Sequence, residues 1–302
     1  MTWNPIRARL KGGADAIPGS RSQPTITTKP KTGTFCTRIS PGCTNCYASS
    51  INKRFGNGLE YTVPNLEKVE FYLSEKILQE PLKAKKPCTI FVGDMFDLFH
   101  EAIEENLIAH VIRIICEAPQ HTFQLLTKRA ARMQELFSRY VSICPVGWPV
   151  KNMWLGVSVE SQKYADERIP LLLQTPAAVR FLSVEPQLEA VNLDSEDVKG
   201  AHALGCGDSN HKDGEGMCRG VDWVICGGES GPGARPFNLA WAESLQAQCK
   251  AAGTAFFMKQ IGSRPVHTYI GSERAYGGYN GHKKGGDMDS WPESLRVREF
   301  PA

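Results

Sequence analysis

Six short apolar runs, each followed by a polar turn and then an amphipathic stretch, constrain this chain more than any other feature. They are Thr89–Gly93 (TIFVG), Thr122–Leu126 (TFQLL), Met153–Ser158 (MWLGVS), Val179–Val184 (VRFLSV), Val221–Gly227 (VDWVICG) and Thr254–Lys259 (TAFFMK). All are brief, rich in β-branched or aromatic residues and apolar on both faces, the pattern of strands buried in a parallel sheet. Between them, Ile103, Leu107, Val111, Ile114 and Ile115 recur at helical spacing, and Trp241, Leu245 and Cys249 form a second stripe that stops at Gly253. Such alternation builds right-handed βαβ units, arranged as a barrel or as a doubly wound sheet. The polar residues favour the barrel. Asp94 and Asp97, Thr127 and Lys128, Ser158 and Glu160, Ser183 and Glu185, Glu229 and Ser230, and Lys259 and Gln260 all lie at or just past strand ends, which a barrel gathers at one mouth. The expected fold is α/β: a partial (β/α) barrel of six to seven parallel strands, with an N-terminal arm and an inserted loop region.

The expected organisation has three parts: an N-terminal segment 1–35, a barrel 36–263 and a C-terminal extension 264–302. Residues 11–33 hold Gly, Pro, Ser, Thr and Lys without apolar periodicity and read as a flexible arm. Residues 187–220 are too long for a simple connection and carry a Gly- and Asp-rich stretch, so they read as an insertion within the barrel. With 302 residues, 41% of them hydrophobic, the chain can build a core without disulfide staples. No run has the length to cross a bilayer and the opening MTWNPIRARLKGG lacks the apolar segment of a signal peptide, so no membrane and a cytoplasmic location are expected. In that reducing setting, ten cysteines point to metal or catalytic roles before disulfides. The net charge of +3 neither demands nor excludes a nucleic-acid partner.

Three of those cysteines fall within FCTRISPGCTNCYASS, residues 35–50, as Cys36-x6-Cys43-x2-Cys46. Cys43 and Cys46 have the spacing of a ligand pair, and Cys36 reaches the same metal across the Ser40-Pro41-Gly42 turn. Zinc is the weaker reading, because neither a second pair nor a nearby histidine completes a tetrahedral set. A four-iron four-sulfur cluster held by three thiolates leaves one iron open to a chelating cofactor, which makes three the required number. Cys206, His211 and Cys218 either hold a second metal with a ligand from elsewhere or belong to a solvated loop. Cys88, Cys116, Cys144, Cys226 and Cys249 stand in apolar contexts and read as core.

The chain resembles the radical SAM superfamily, and more closely a phage-encoded radical SAM family distantly similar to spore photoproduct lyase. The likeness is carried by Trp3-Asn4-Pro5, SPGCTNCYA (40–48), VGDMFDLFHE (92–101), LLTKR (125–129), LGVSVES (155–161), FLSVEP (181–186), VICGGESGPGARP (224–236), FFMKQIG (256–262) and GGDMDSWPESLRVREFP near the C-terminus. It implies Cys36, Cys43 and Cys46 as ligands of a four-iron four-sulfur cluster, S-adenosyl-L-methionine as second cofactor and a reducing electron donor as partner. Two departures qualify it. The usual first cysteine gap is three residues and here it is six. The superfamily GGE motif follows the second strand, whereas Gly227-Gly228-Glu229 follows a late one. The role of that motif therefore passes to Gly93 and Asp94, at the end of the strand after the cysteines, with Ser158 near the ribose or carboxylate of SAM.

Glu185, Glu229, Arg235 and Lys259 ring the expected mouth and either orient a polar substrate or form a salt-bridged rim. Glu185, Glu229 and Lys259 are the candidate catalytic residues. The resemblance implies an isomerase that rearranges a glycinyl-type amino-acid adduct on thymidine during phage DNA hypermodification, which would protect the viral genome from host restriction. It would act in the host cytoplasm. A radical SAM enzyme for a peptide or small molecule is the alternative, and a zinc-stabilised nucleic-acid-binding module without catalysis is a second. A modified thymidine in DNA must leave the stack before chemistry, so the first reading requires a basic approach surface. The arm from Lys11 to Lys31 and the tail around His282, Lys283, Lys284, Arg296 and Arg298 are the candidates for it.

Overall fold

In a computed structural model of the protein, residues 1–11, 31–140, 147–193, 203–205, 220–269 and 272–301 are described. The chain divides into two compact units, Met1–Phe123 and Gln124–Ala302. The fold is α/β. Its principal sheet is a curled half-barrel of seven parallel strands in the order β1-β5-β6-β7-β8-β9-β11, numbered along the chain with the ranges given below.

In the first unit, β1 (Thr2–Trp3) pairs parallel with β5 (Thr89–Val92), Trp3 standing opposite Val92. Trp3 is fully buried and its indole N–H donates to the Ile77 carbonyl at 2.8 Å, which satisfies the ring's one polar group. A small antiparallel sheet forms from β2 (Ile6–Leu10), β3 (Thr32–Gly33) and β4 (Val69–Leu73) in the order β3-β2-β4. Helix α1 spans Tyr47–Phe55, and one-turn helices α2 (Val63–Leu66), α3 (Glu75–Leu78) and α4 (Glu80–Lys83) follow. Helix α5 (Glu105–Glu117) buries Ile108, Val111, Ile112, Ile114 and Ile115. The expected stripe is thus displaced. Ile103 is buried in the turn before the helix, and Ile108 takes the place expected of Leu107, which is only half-buried.

Strand β6 (Thr122–Thr127) straddles the division between the units. In the second unit, β7 (Met153–Ser158), β8 (Val179–Val184), β9 (Trp223–Gly227) and β11 (Ala255–Gln260) run parallel, with Ser158 opposite Ser183 and Val184 opposite Cys226. These strands match the apolar runs to within two residues. β9 starts later than expected because Val221 gives its N–H to the Ala203 carbonyl instead of a ladder partner. Helices α6 (Ala130–Tyr140), α7 (Gln162–Gln174) and α8 (Leu239–Ala252) alternate with the strands. Helix α8 stops at Gly253, whose φ of 70° closes the helix in the left-handed conformation that glycine adopts without strain. A second three-stranded sheet joins β10 (Phe237–Asn238), β12 (Pro265–Tyr269) and β13 (Ser272–Ala275). The tail returns along β11, Met258 donating to the Val297 carbonyl at 2.9 Å.

Most of the arm and of the expected insertion lie outside the described residues, as do Cys144, Cys206, His211 and Cys218. Among the described residues no helix is long and apolar enough to cross a membrane.

Candidate functional site

The cysteine loop is anchored at its start by Phe35, fully buried with its ring edge-on to Tyr61 at 5.5 Å and to Phe71 at 6.4 Å. Cys36 and Cys46 pack against the apolar cluster of Ala8, Phe35, Ala48, Tyr61 and Val69. Between them the chain makes one helical turn, Pro41–Cys43, closed by the Cys43 N–H donating to the Ser40 carbonyl at 2.9 Å. Cys46 is the residue from which α1 starts. All three thiols are free of disulfides and half-buried. Cys36 Sγ donates to the Thr37 carbonyl at 3.6 Å, and Cys43 Sγ lies 3.6 Å from Ser40 Oγ.

The turn after β5 is the second component. Gly93 has φ of 77°, and a Cβ there would stand 2.9 Å from the Phe96 carbonyl oxygen, so conformation and space both demand glycine. Asp94 Oδ1 accepts from Asn4 Nδ2 at 2.6 Å, while Asn4 Oδ1 accepts the Met95 N–H at 3.2 Å. Asn4 therefore holds this turn with both ends of its amide. Its neighbour Trp3 fixes it in place from β1, which gives the WNP stretch a structural meaning.

Three hydrogen bonds tie the cysteine segment to the β5 turn. Tyr47, directly after Cys46, donates its hydroxyl to the Asp94 carbonyl at 2.7 Å. Tyr61 donates to the Met95 carbonyl at 2.7 Å, leaving its oxygen to accept from Thr34 Oγ1 at 2.6 Å. Thr37 Oγ1 lies 2.9 Å from His100 Nε2. Because His100 Nδ1 accepts the Ala102 N–H at 3.1 Å, the Nε2 proton points at Thr37. Burial pushes the Tyr61 phenol above the usual tyrosine range, opposed by the Thr34 hydrogen bond and reinforced by Cys46 and Cys36. Of the residues expected to serve cofactors, the first unit thus brings Cys36, Cys43, Cys46, Gly93 and Asp94 into one laced segment. Asn4, Tyr47 and Tyr61 belong to the same segment and were assigned no role from the sequence.

The strand-end residues of the second unit form compact polar clusters of their own. Glu185 Oε2 accepts from Lys259 Nζ at 2.7 Å, and its Oε1 accepts from Gln260 Nε2 at 3.0 Å. A Cβ on Gly227 would come 3.2 Å from Glu185 Oε1, so the first glycine of the GGE stretch leaves room for this carboxylate. Glu229 is bound within its own loop: Arg235 donates through Nη2 at 2.7 Å, Nε at 3.0 Å and its backbone N–H at 2.9 Å. Ser158 is buried at the end of β7, and its carbonyl accepts from Arg168 Nη1 at 2.8 Å. Glu160, noted in the sequence only as a strand-end residue, has no exposed surface and accepts from Lys128 at 3.2 Å and Arg168 at 2.9 Å. Arg168 in turn lies 4.1 Å over the Tyr164 ring. The sequence signal for this cluster was present in the spacing of Lys128 and Glu160 past β6 and β7.

Three half-buried thiols within eleven residues, tied to the turn that carries Asp94, are donors of the kind an iron–sulfur cluster takes. Among the described residues, no group of three or more His, Cys, Asp or Glu side chains is already drawn together as a metal site. Ligation by Cys36, Cys43 and Cys46 requires the side chains to rotate toward a common point. The contacts that Cys36 and Cys43 make to Thr37 and Ser40, both at 3.6 Å, are weak sulfur contacts.

No curated protein and no solved structure matches the chain. One family matches over residues 25–291, a span that takes in the cysteine loop and all the strand-end clusters. The chain belongs to that family, described as proteins of unknown function, DUF5131.

Proposed function

We propose that this member of the DUF5131 family is a radical SAM enzyme, with Cys36, Cys43 and Cys46 holding a four-iron four-sulfur cluster and Gly93 and Asp94 receiving S-adenosyl-L-methionine. The observation that carries the reading is the lacing of the cysteine loop to the β5 turn. Tyr47 reaches the Asp94 carbonyl at 2.7 Å, so the last thiol and the expected cofactor turn are joined through adjacent residues. When bound, the two cofactors supply a radical able to remove a hydrogen atom from a substrate.

The protein's own part is positioning. Gly93 supplies the positive φ that the turn needs against Phe96, and Asn4 orients the Asp94 carboxylate. Tyr61 and Thr34 hold the base of the cysteine loop. Glu185 and Lys259 form a hydrogen-bonded acid–ammonium pair suited to orienting a polar substrate, and Glu229 acts together with Arg235. The reaction proposed is isomerisation of an amino-acid adduct on thymidine during phage DNA hypermodification, in the host cytoplasm and with a reducing electron donor.

The test is anaerobic reconstitution with iron and sulfide, followed by addition of SAM and dithionite. Formation of 5′-deoxyadenosine, lost in Asp94→Ala and in each cysteine variant, is expected. A zinc-containing colourless protein that leaves SAM intact would replace this reading with the nucleic-acid-binding module. Cleavage of SAM that phage-type DNA leaves unchanged and a peptide stimulates would move the substrate to the peptide class.

A further inference from the structure

The second unit contains a cleft that none of these assignments uses. Its volume is about 280 Å³, and Ser263, Arg264, Val266, Ala275, Tyr276 and Tyr279 are among its lining residues. That is just below the roughly 300 Å³ at which small-ligand sites begin. Val266 and Ala275, paired across β12 and β13, supply an apolar wall. Tyr276 is steadied by His267, edge-on at 5.2 Å, and by its N–H donating to the Pro265 carbonyl at 3.1 Å. Gly278 permits the ring's position, since a Cβ there would meet the Tyr276 hydroxyl at 2.5 Å. Tyr279 is fixed through its hydroxyl, which donates to the His282 carbonyl at 2.7 Å.

Among the residues that line the cleft, Arg264 is the charged one. Arg264 is exposed, and among the described residues its guanidinium has no ion pair or hydrogen bond. Lys283 is tied to the cleft through its carbonyl, which accepts from Ser263 Oγ at 2.6 Å, while the side chains of Lys283 and Lys284 are exposed and lack ion pairs among the described residues. The other basic residues of this tail differ. Arg296 and Arg298 donate to main-chain carbonyls, those of Trp291 and Asp289 and of Met258 and Lys259, and Arg298 lies over the rings of Phe257 and Trp291. Two fixed phenol rings beside an apolar wall, with the Arg264 cation at the edge, offer the stacking and the charge that a nucleobase with its phosphate requires.

We infer that the Arg264–Tyr276–Tyr279 cleft binds one unstacked nucleotide of a DNA single strand, the base against the tyrosine rings and the phosphates toward Arg264, Lys283 and Lys284. The inference rests on the proposed DNA substrate for the identity of the polymer; the recognition chemistry stands on the cleft. A duplex keeps its base faces stacked, so it would engage only the cations.

The experiment is fluorescence anisotropy of a labelled oligothymidylate with the full chain over a salt series, with unlabelled thymidine monophosphate and an acidic peptide as competitors. Tyr276→Ala is expected to weaken binding roughly 5- to 150-fold, the range for loss of one base–aromatic stack, whereas Tyr276→Phe keeps it. Arg264→Gln, at an exposed position that cannot disturb the core, should lower the slope of log affinity against log salt by roughly 0.7, one phosphate contact on a single strand. Competition by the monophosphate only at much higher concentration than the oligomer points to a strand site, and competition at equal concentration to a free-nucleotide site. Unchanged affinity in both Tyr276→Ala and Arg264→Gln, or stronger competition by the acidic peptide, overturns the inference. Iron content is measured on the same samples. A protein that takes up no iron but loses oligomer binding in the cleft variants keeps the cleft and discards the cluster; the converse discards the cleft alone.

Discussion

The cysteine segment of the first unit and the strand-end carboxylates of the second use polar side chains to opposite ends. In the first, Tyr47 and Tyr61 donate to backbone carbonyls, Asn4 joins the Asp94 carboxylate to the Met95 N–H, Thr37 meets His100, and the thiols stay half-buried. In the second, the carboxylates of Glu160, Glu185 and Glu229 are each matched by a cation, Lys128 and Arg168, Lys259, or Arg235. Hydrogen bonds to backbone fix a loop without neutralising what the loop presents, whereas ion pairing consumes the charge it orders. The difference separates a segment whose thiols stay half-buried from clusters whose carboxylates are paired at the strand ends.

That comparison is broken most severely at Glu160. Replacing it with Ala leaves Arg168, only 6% exposed, without its carboxylate, and a loss of about 3–5 kcal/mol is expected from denaturant unfolding. A loss under about 1 kcal/mol would mean that the pair is not the anchor described. Next comes Gly93→Ala, which meets both the positive φ and the Phe96 carbonyl. A cost of about 1–3 kcal/mol is expected, with loss of SAM-dependent activity, whereas Gly58→Ala, at φ of 88° but with nothing within 4 Å, costs less. Comparing their unfolding midpoints separates the steric part from the conformational one.

Tyr61→Phe should cost about 1–2 kcal/mol by leaving the part-buried Met95 carbonyl and the buried Thr34 hydroxyl short of a partner. Its pH dependence follows from the raised phenol. A folded-state value above the unfolded value of about 10 gives a stabilisation fully present below about pH 10 and lost as pH rises through the folded value. The wild type should therefore lose stability in that alkaline window faster than Tyr61→Phe, and identical alkaline profiles would contradict the assignment. The smallest effect is expected at Lys259, whose side chain is 54% exposed. Lys259→Met should change stability by less than about 1 kcal/mol, so a pronounced loss of turnover in that variant would report substrate orientation and not folding.

Local patterns carried most of the fold. Buried parallel strands announce themselves as continuous apolar runs, and those at Met153–Ser158 and Val179–Val184 coincide with β7 and β8 at both ends. Strand β1 has two residues, too few to show any periodicity, and its place at the sheet edge depends on pairing with Phe91 and Val92 far along the chain. The site divides in the same way. Three cysteines in eleven residues are legible at a glance, as is a glycine ending a strand. The partners that join them are not, because Asn4 meets Asp94 and Tyr61 meets Met95 across 90 and 34 residues, and nothing local marks a side chain that will bond to a distant main-chain group. Ion pairs such as Glu229 with Arg235 lie close in sequence, yet charge alone does not reveal whether a pair orders a loop or faces a substrate.

Whether Cys36, Cys43 and Cys46 hold a cluster is read from iron content after anaerobic reconstitution, together with the visible charge-transfer absorption. A brown protein carrying about four irons per chain is expected, with both signals abolished in Cys36→Ala, Cys43→Ala and Cys46→Ala and retained in Cys88→Ala, a half-buried thiol outside the loop. A colourless protein, or full retention of iron and absorption in any of the three loop variants, would contradict it.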